Sequence, residues 1–520
     1  MLTTKPSMDG RPIPGILILK DNKTYGRHKT NGKLMYKCVP DDKTLPIFLV
    51  HYEFKNVGFS KRFNNLYVIF TYSNWDNKHP CGIIQHTIGD VDNLSNFYEY
   101  QLHCKQLNFS LKNFTKDTKQ PKNETIINSI IHKYPTIENR TNEWFIFTID
   151  PENCTDFDDA FSIKQLTSEI TQLSVYISNV SILIDTLDLW NSFSRRISTI
   201  YLPDKKIPML PSILSDGLCS LKENETRVSL VMDLFIENST VIKIAYSNCL
   251  IKVSKNYIYE EPALLNNPHY KHLLQFTHIL SNNHKYIHKL TDSHEIVSYL
   301  MILMNYNCAV EMTKHNNGIF RTTTTTITET NLPENIRNIV YPYSNVSGKY
   351  SCDNIKHQTL DLDAYIHITS PIRRIVDLLN SIQFQRNNNI VLSDNAYIFL
   401  NKWINELEYI NTTMRSIRKV QNECSLLNLY MNTPEITNKL YDGYVYERKH
   451  KNESSYKFMV YLPELKLYSS FSLNENLEIY TKHAFKLYLF NDAETFKQKI
   501  RLQRHTTPHH TESYNNIKPI

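Results

Sequence analysis

Up to about residue 110, apolar positions come in short runs rich in β-branched and aromatic residues: "GILIL", "LPIFLVHY" and "LYVIFTYSNW". Polar turns such as "DNKTYG" and "DNKHPCG" separate them. Short strands at this spacing predict a small barrel. The polar stretch "KNFTKDTKQPKNET" predicts a linker over 111–125. From there to about 435 strands mix with helical spacing. In "YIFLNKWINELEYINTTMRSIRKV" the apolar residues recur as a core-facing stripe. The threonine-rich run "RTTTTTITET" at 321–330 reads as a strand or loop without function. Residues 436–505 return to strand patterning, and 506–520 read as a flexible tail. His505, His509 and His510 fit a chain end better than a metal site. The pattern predicts a multidomain α+β chain, with β-barrels flanking a central mixed α/β domain.

One segment breaks the pattern. "TIDPENCTDFDDAFSI" places Asp150, Asp156, Asp158 and Asp159 directly after the apolar run "WFIF". Two carboxylates about 6 Å apart repel by ~3 kcal/mol at an effective dielectric near 20. Solvation on a surface loop, protonation or a bound cation relieves that repulsion. Phe157 and the apolar flanks argue for partial burial, which favours a hard divalent cation held by oxygen ligands. The loop is not an EF-hand, which needs a Gly at its sixth position and a later Glu.

Composition narrows the setting. At 520 residues the chain has room for two to four domains. No run of 18 apolar residues suggests a membrane span, and no secretory signal is evident. Nine cysteines without a CxxC pair argue against a zinc ribbon or disulfide framework and for a reducing compartment. The expected location is therefore cytoplasmic, with the nucleus as the alternative. A net charge of +6 is a weak hint of a polyanionic partner. The abundance of Tyr (33) and scarcity of Gly (11) also fit an AT-rich coding sequence.

Three further stretches matter. In "HITSPIRRIVDLLN", Ser370 is a candidate helix cap and Pro371 suits a first turn. Arg373 and Arg374 then fall at the positive end of the helix, where cations are unfavourable unless an anion binds. Helix amides with arginine make a phosphate site, and an ion pair to an acidic loop is the alternative. In "RRISTIYLPDKKIPMLPSILSDGLCSL", Tyr201 precedes Pro203 in an apolar, proline-rich loop. It is either packing or a stacking platform for a base. In "HYEFKNVGFSKRF", Lys55, Lys61 and Arg62 interleave with Phe54, Phe59 and Phe63. That fits a single-stranded nucleic-acid surface or a half-buried strand. "YDGYVYERKHKNESSYKFMVYLPELKLY" repeats the alternation.

Together these blocks resemble the ribonuclease II family, which includes bacterial ribonucleases II and R and the Dis3-type exosome nucleases. The aspartate spacing, the "IPMLP…LSDGLCSL" block and the "TSPIRR" block occur in the family's order. The resemblance implies a cold-shock-like OB domain over 1–110, an RNB catalytic domain over 111–435 and an S1-like OB domain over 436–505. It implies processive 3′→5′ hydrolysis of single-stranded RNA to nucleoside 5′-monophosphates with two Mg²⁺ ions, Mn²⁺ substituting. Carried onto this chain, Asp150, Asp156, Asp158 and Asp159 are the metal site, with Asp158 indispensable to catalysis. Arg373 contacts the scissile phosphate. Tyr201, Tyr259, Arg196 and Arg374 meet the RNA. The expected state is a monomer, with a larger RNA-decay complex as an alternative setting.

The chain also departs from the pattern. Tyr176 and Asn179 stand where the family has His and Asp, and Ser298 and Tyr299 replace an acidic pair. Ile375 replaces the tyrosine that follows the paired arginines, and a second aromatic clamp is missing. No second cold-shock domain or PIN domain is expected. Reduced processivity is expected. The competing expectation is an RNA-binding protein that kept the channel and lost turnover.

Overall fold

The computed structural model describes residues 10–28, 32–53, 63–75, 78–118, 123–283, 286–287, 290–322, 348–357, 360–452, 455–465, 467–491 and 498–505. Lys55, Lys61, Arg62, Phe54 and Phe59, the threonine run beyond Thr322, and His509 and His510 lie outside them. The chain divides into two compact units, one holding two β-barrels and one built on a central sheet.

The first barrel closes in the order β1 (Ile13–Ile18), β2 (Met35–Pro40), β3 (Phe48–His51), β5 (Cys81–Asp90), β4 (Leu66–Asn74). The β3–β5 pair is parallel and its other pairs antiparallel, the Greek-key order of an OB fold. Alternate residues Leu17, Cys38, Phe48, Val50, Val68 and Phe70 fill its interior, and Phe63 packs against that core. The second barrel uses β17 (Leu440–Asn452), β18 (Ser455–Leu462), β19 (Leu467–Leu473), β20 (Lys482–Asn491) and β21 (Gln498–Arg504). Its sheet order is β19-β18-β17-β20-β21. Tyr98 of α1 (Leu94–Cys104) donates to Asn428, on the helix that precedes the second barrel.

Gly443 of β17 illustrates how tightly that barrel is filled. A Cβ there would lie 2.6 Å from Phe485 and 2.8 Å from Leu462, both fully buried. Gly443→Ala is expected to cost about 1–3 kcal/mol through overpacking. An unchanged urea midpoint would contradict that.

The second unit centres on a seven-stranded mixed sheet, ordered β14-β7-β8-β9-β12-β13-β6. Its strands are β6 (Glu138–Arg140), β7 (Phe147–Asp150), β8 (Asp159–Gln165), β9 (Ile170–Ser178), β12 (Thr226–Glu237), β13 (Thr240–Lys252) and β14 (Lys255–Ile258). Both faces are covered. Phe147, Phe161, Val175 and Met232 pack against Leu300 and Met304 of the helix Ser293–Lys314. Ile146, Ala160, Tyr176, Val231 and Ile251 form the core of the opposite face. Double coverage explains why β8, β9 and β12 are buried along most of their length, polar residues included. Among the described residues no helix is long and apolar enough to cross a membrane.

Two expectations need correction. The supposed linker at 111–125 contains α2 (Lys112–Asp117) and the start of α3 (Asn123–Lys133). Phe114 is buried against Phe193, so one aromatic anchors an otherwise polar stretch. The helix expected from Ser370 begins at Ile375. Arg373 and Arg374 therefore precede it. Arg374 is extended and bridges Ser198, which holds the chain out of helical geometry for four more residues.

Candidate active site

The four aspartates sit at the end of a hairpin. Asp150 closes β7, Asp159 opens β8, and Asp156 and Asp158 lie on the loop between them. Asn153 takes φ 65° there, a left-handed conformation that Asn tolerates. Phe157 tucks against the core of the sheet's outer face. Its N–H donates to Ser220 Oγ at 3.0 Å, and its carbonyl accepts from Leu221 N–H at 3.0 Å. The "CSL" end of the second motif thus pins the aspartate loop.

The third motif arrives from the other side. Thr199 N–H donates to the Arg373 carbonyl, and Ile375 N–H to the Ile197 carbonyl. Arg373 Nε lies 3.0 Å from Asp158 Oδ2, and Ile372 N–H donates to Asp158 Oδ1 at 3.0 Å. The amide and guanidinium expected to face an anion are therefore engaged by a protein carboxylate. Arg373 remains half-exposed and reaches Ser370 Oγ through Nη2. Asp158 is buried, which pushes its carboxyl up to about 7 although Arg373 and the Ile372 amide pull it down. Burial likewise raises Asp150 and Asp159; the Asp158 charge raises Asp150 further and the Asp150 charge raises Asp159, while Arg373 pulls both down.

These groups line a cleft of about 850 Å³, inside the range of small-ligand sites. Tyr201 and Tyr259 line it too. Tyr201 is 40 % exposed and belongs to the short hairpin β10 (Ile200–Tyr201) and β11 (Lys206–Ile207). The Tyr259 ring stacks on His294, centroids 3.6 Å apart and planes within 12°. Glu260 positions that partner by accepting from Ser293 N–H and Oγ, both at 2.6 Å.

The other predicted contacts are not offered to the cleft in the same way. Arg196 is buried and does not line it; its fork holds the carbonyls of Pro208 and Phe109. Arg374 lines the cleft, but its Nη2 donates to the fully buried Asp377. Both arginines brace loops in this structure. Ser298 lines the cleft while Tyr299 turns into the core. Asn179 caps the helix Val180–Thr186, and Tyr176 bonds Ser162 in the interior.

Sequence reasoning missed Lys206, Asp216 and His294. Lys206 stands in "DKKIP" next to another lysine, with nothing to separate it from a surface cation. Its pairing with Tyr201 across β10–β11 exists only in the fold.

Among the described residues, no three His, Cys, Asp or Glu groups converge as metal ligands would. The donor chemistry nevertheless fits a hard divalent cation: all four candidate ligands are carboxylates, and Asp150 Oδ2 is buried without a hydrogen-bond partner. A cation there would reverse the burial that raises these carboxyls. Asp150, Asp158 and Asp159 are the residues that would hold it.

Comparison with known proteins shows what the chain resembles. Residues 139–275 and 325–389 match the RNB domain model. Over those residues the chain is similar to an RNB domain. The Ribonuclease R of Buchnera aphidicola is 28% identical over 312 residues, 45% of this chain and 43% of that one. The chain spans less than half the length of such curated relatives. The RNase R structure from Mycoplasma genitalium superimposes with a TM-score of 0.65 at 16% identity, covering 95% of this chain and 89% of that one. Yeast Ssd1, described as a pseudonuclease, superimposes with a TM-score of 0.61 at 16% identity, covering 90% and 65%. At such identities these structures establish the RNB-with-barrels fold.

Proposed function

We propose that this RNB-domain chain is a Mg²⁺-dependent 3′→5′ exoribonuclease that hydrolyses single-stranded RNA processively to nucleoside 5′-monophosphates. The observation that carries the proposal is the meeting of three sequence-distant blocks in one cleft. Asp150, Asp158 and Asp159 come from one, Tyr201 from the second and Arg373 from the third. The relatives named ribonuclease R support the same chemistry. A bound divalent ion would activate water and stabilise the leaving oxygen.

The chain's own residues supply the rest. Arg373, fixed by Asp158 and Ser370, meets the phosphate from the cleft wall. Tyr201 offers a ring face to the terminal base, and the Tyr259–His294 stack forms a second flat surface. The substrate is single-stranded RNA, met by a cytoplasmic or nuclear monomer or within a larger RNA-decay assembly. A second reading, an RNA-binding protein without turnover, draws on Arg373 and Lys206 already pairing with Asp158 and Asp156.

The deciding assay incubates 5′-labelled single-stranded RNA with the protein and Mg²⁺ or EDTA. A ladder shortening from the 3′ end, with 5′-monophosphates released only with Mg²⁺, is expected. RNA bound and left intact in both conditions would select the second reading. Tyr201→Ala should weaken single-stranded RNA binding by ~1–3 kcal/mol, roughly 5- to 150-fold in Kd. An unchanged Kd would remove Tyr201 from the RNA path.

A further inference from the structure

The hairpin that brings Tyr201 to the cleft brings an ammonium with it, because Tyr201 and Lys206 are directly paired across β10–β11. Lys206 Nζ donates to Thr155 Oγ1 at 2.6 Å, Asp156 Oδ1 at 2.9 Å and Asp216 Oδ1 at 2.9 Å. Those contacts use all three donors of an ammonium. Asp216 lies on a π-helical turn, Ile213–Leu218, a segment separate from the aspartate hairpin. Two elements therefore clamp Lys206 at the edge of the carboxylate cluster.

The cluster's cations are unevenly distributed. Asp156 has Lys206 and Asp158 has Arg373. Among the described residues, Asp150 and Asp159 have no ion pair, and Asp150 Oδ2 is buried without a hydrogen-bond partner. A divalent ion bonded to Asp156 would share that carboxylate with a fixed ammonium, and two cations at such a distance repel strongly. The same ion beside Asp150 and Asp159 meets carboxylates that no ammonium or guanidinium bonds directly.

We propose that Lys206 is a built-in cation on the Asp156 side of the cluster, so that the site takes one divalent ion, beside Asp150 and Asp159, and not two. The inference rests on the metal-dependent reading of this cleft and narrows it. Lys206 is a positioning residue: it acts through Asp156 and keeps a second metal out.

Metal stoichiometry tests this without reference to turnover. Mn²⁺ serves as the probe, titrated into the full chain without RNA and followed by calorimetry and by loss of the free-ion EPR signal. Wild type is expected to bind one Mn²⁺, Lys206→Met two, and Lys206→Arg, which keeps the charge, one. Two ions on wild type, or one on a folded Lys206→Met, would overturn the proposal. The wild-type count alone can do so if the Met variant fails to fold. Wild type that degrades RNA yet binds two ions sinks only the role of Lys206. Wild type that binds one ion yet leaves RNA intact supports that role and sinks the exoribonuclease. Wild type that binds none overturns both.

Discussion

Asp158→Asn is expected to slow Mg²⁺-dependent release of nucleotides from single-stranded RNA by about 10³-fold, roughly 4 kcal/mol of transition-state stabilisation. Asparagine preserves shape but removes the charge that would hold a cation and that anchors Arg373 at 3.0 Å. RNA affinity should stay level or rise, because Arg373 is half-exposed and loses its neutralising partner. Stability should move the other way from a typical core substitution. Burial raises the Asp158 carboxyl from 3.8 to about 7. A carboxyl raised on folding opposes the fold once the pH exceeds its unfolded value, and the penalty is complete above the folded one. In EDTA at pH 8 the asparagine variant should therefore unfold at an equal or higher denaturant concentration. A variant that cuts RNA at more than a tenth of the wild-type rate would remove Asp158 from the chemistry. One that unfolds much earlier would make it a structural residue.

Much of the fold was legible because its signals are local. Alternating apolar residues bounded by turns marked the barrel strands, and Leu17, Phe48 and Phe70 do fill the first interior. The aspartate hairpin was legible for a related reason, since four aspartates within ten residues beside an apolar run need a special environment. What stayed hidden depends on tertiary context. Arg196 and Arg374 look like nucleic-acid contacts in sequence, yet backbone carbonyls hold one and a buried carboxylate the other. The helix start moved from Ser370 to Ile375 because a β-bridge from Arg374 to distant Ser198 outweighs a favourable Ser-Pro cap. Lys206 and Asp216 were invisible because their partners Asp156 and Thr155 are 50 and 61 residues away. The same blindness hid Asp185.

Asp185→Ala should remove about 3–5 kcal/mol of stability, the largest loss expected from any single change considered. In "SILIDTLDLW" Asp185 looks like an ordinary acid on a short helix. Its carboxylate is buried and joins four elements. Oδ2 accepts from Lys133 Nζ at 2.6 Å and Tyr134 OH at 2.5 Å, both near the end of α3. Oδ1 accepts from Trp190 Nε1 at 2.8 Å and from Ser393 N–H at 3.0 Å, ahead of the helix Asp394–Asn405. Burial alone would raise this carboxyl, but the bonds from Lys133, Ser393, Tyr134 and Trp190 outweigh it and hold it below the usual range. That stability is present above the unfolded carboxylate pKa and fades as the pH falls through the lower folded one. Alanine would leave the Trp190 N–H, the Tyr134 hydroxyl and the Ser393 amide buried without an acceptor, each costing ~1–3 kcal/mol less what relaxation recovers. Asp185→Asn keeps one carbonyl oxygen for Trp190 and Ser393 and loses mainly the Lys133 pairing, so its loss should be about 1–2 kcal/mol. Denaturant unfolding followed by tryptophan fluorescence reads both variants, with Trp190 itself a reporter. An alanine variant within 1 kcal/mol of wild type, or one no worse than asparagine, would mean that α3, Trp190 and the helix Asp394–Asn405 are held by apolar packing, with Asp185 merely filling a polar gap.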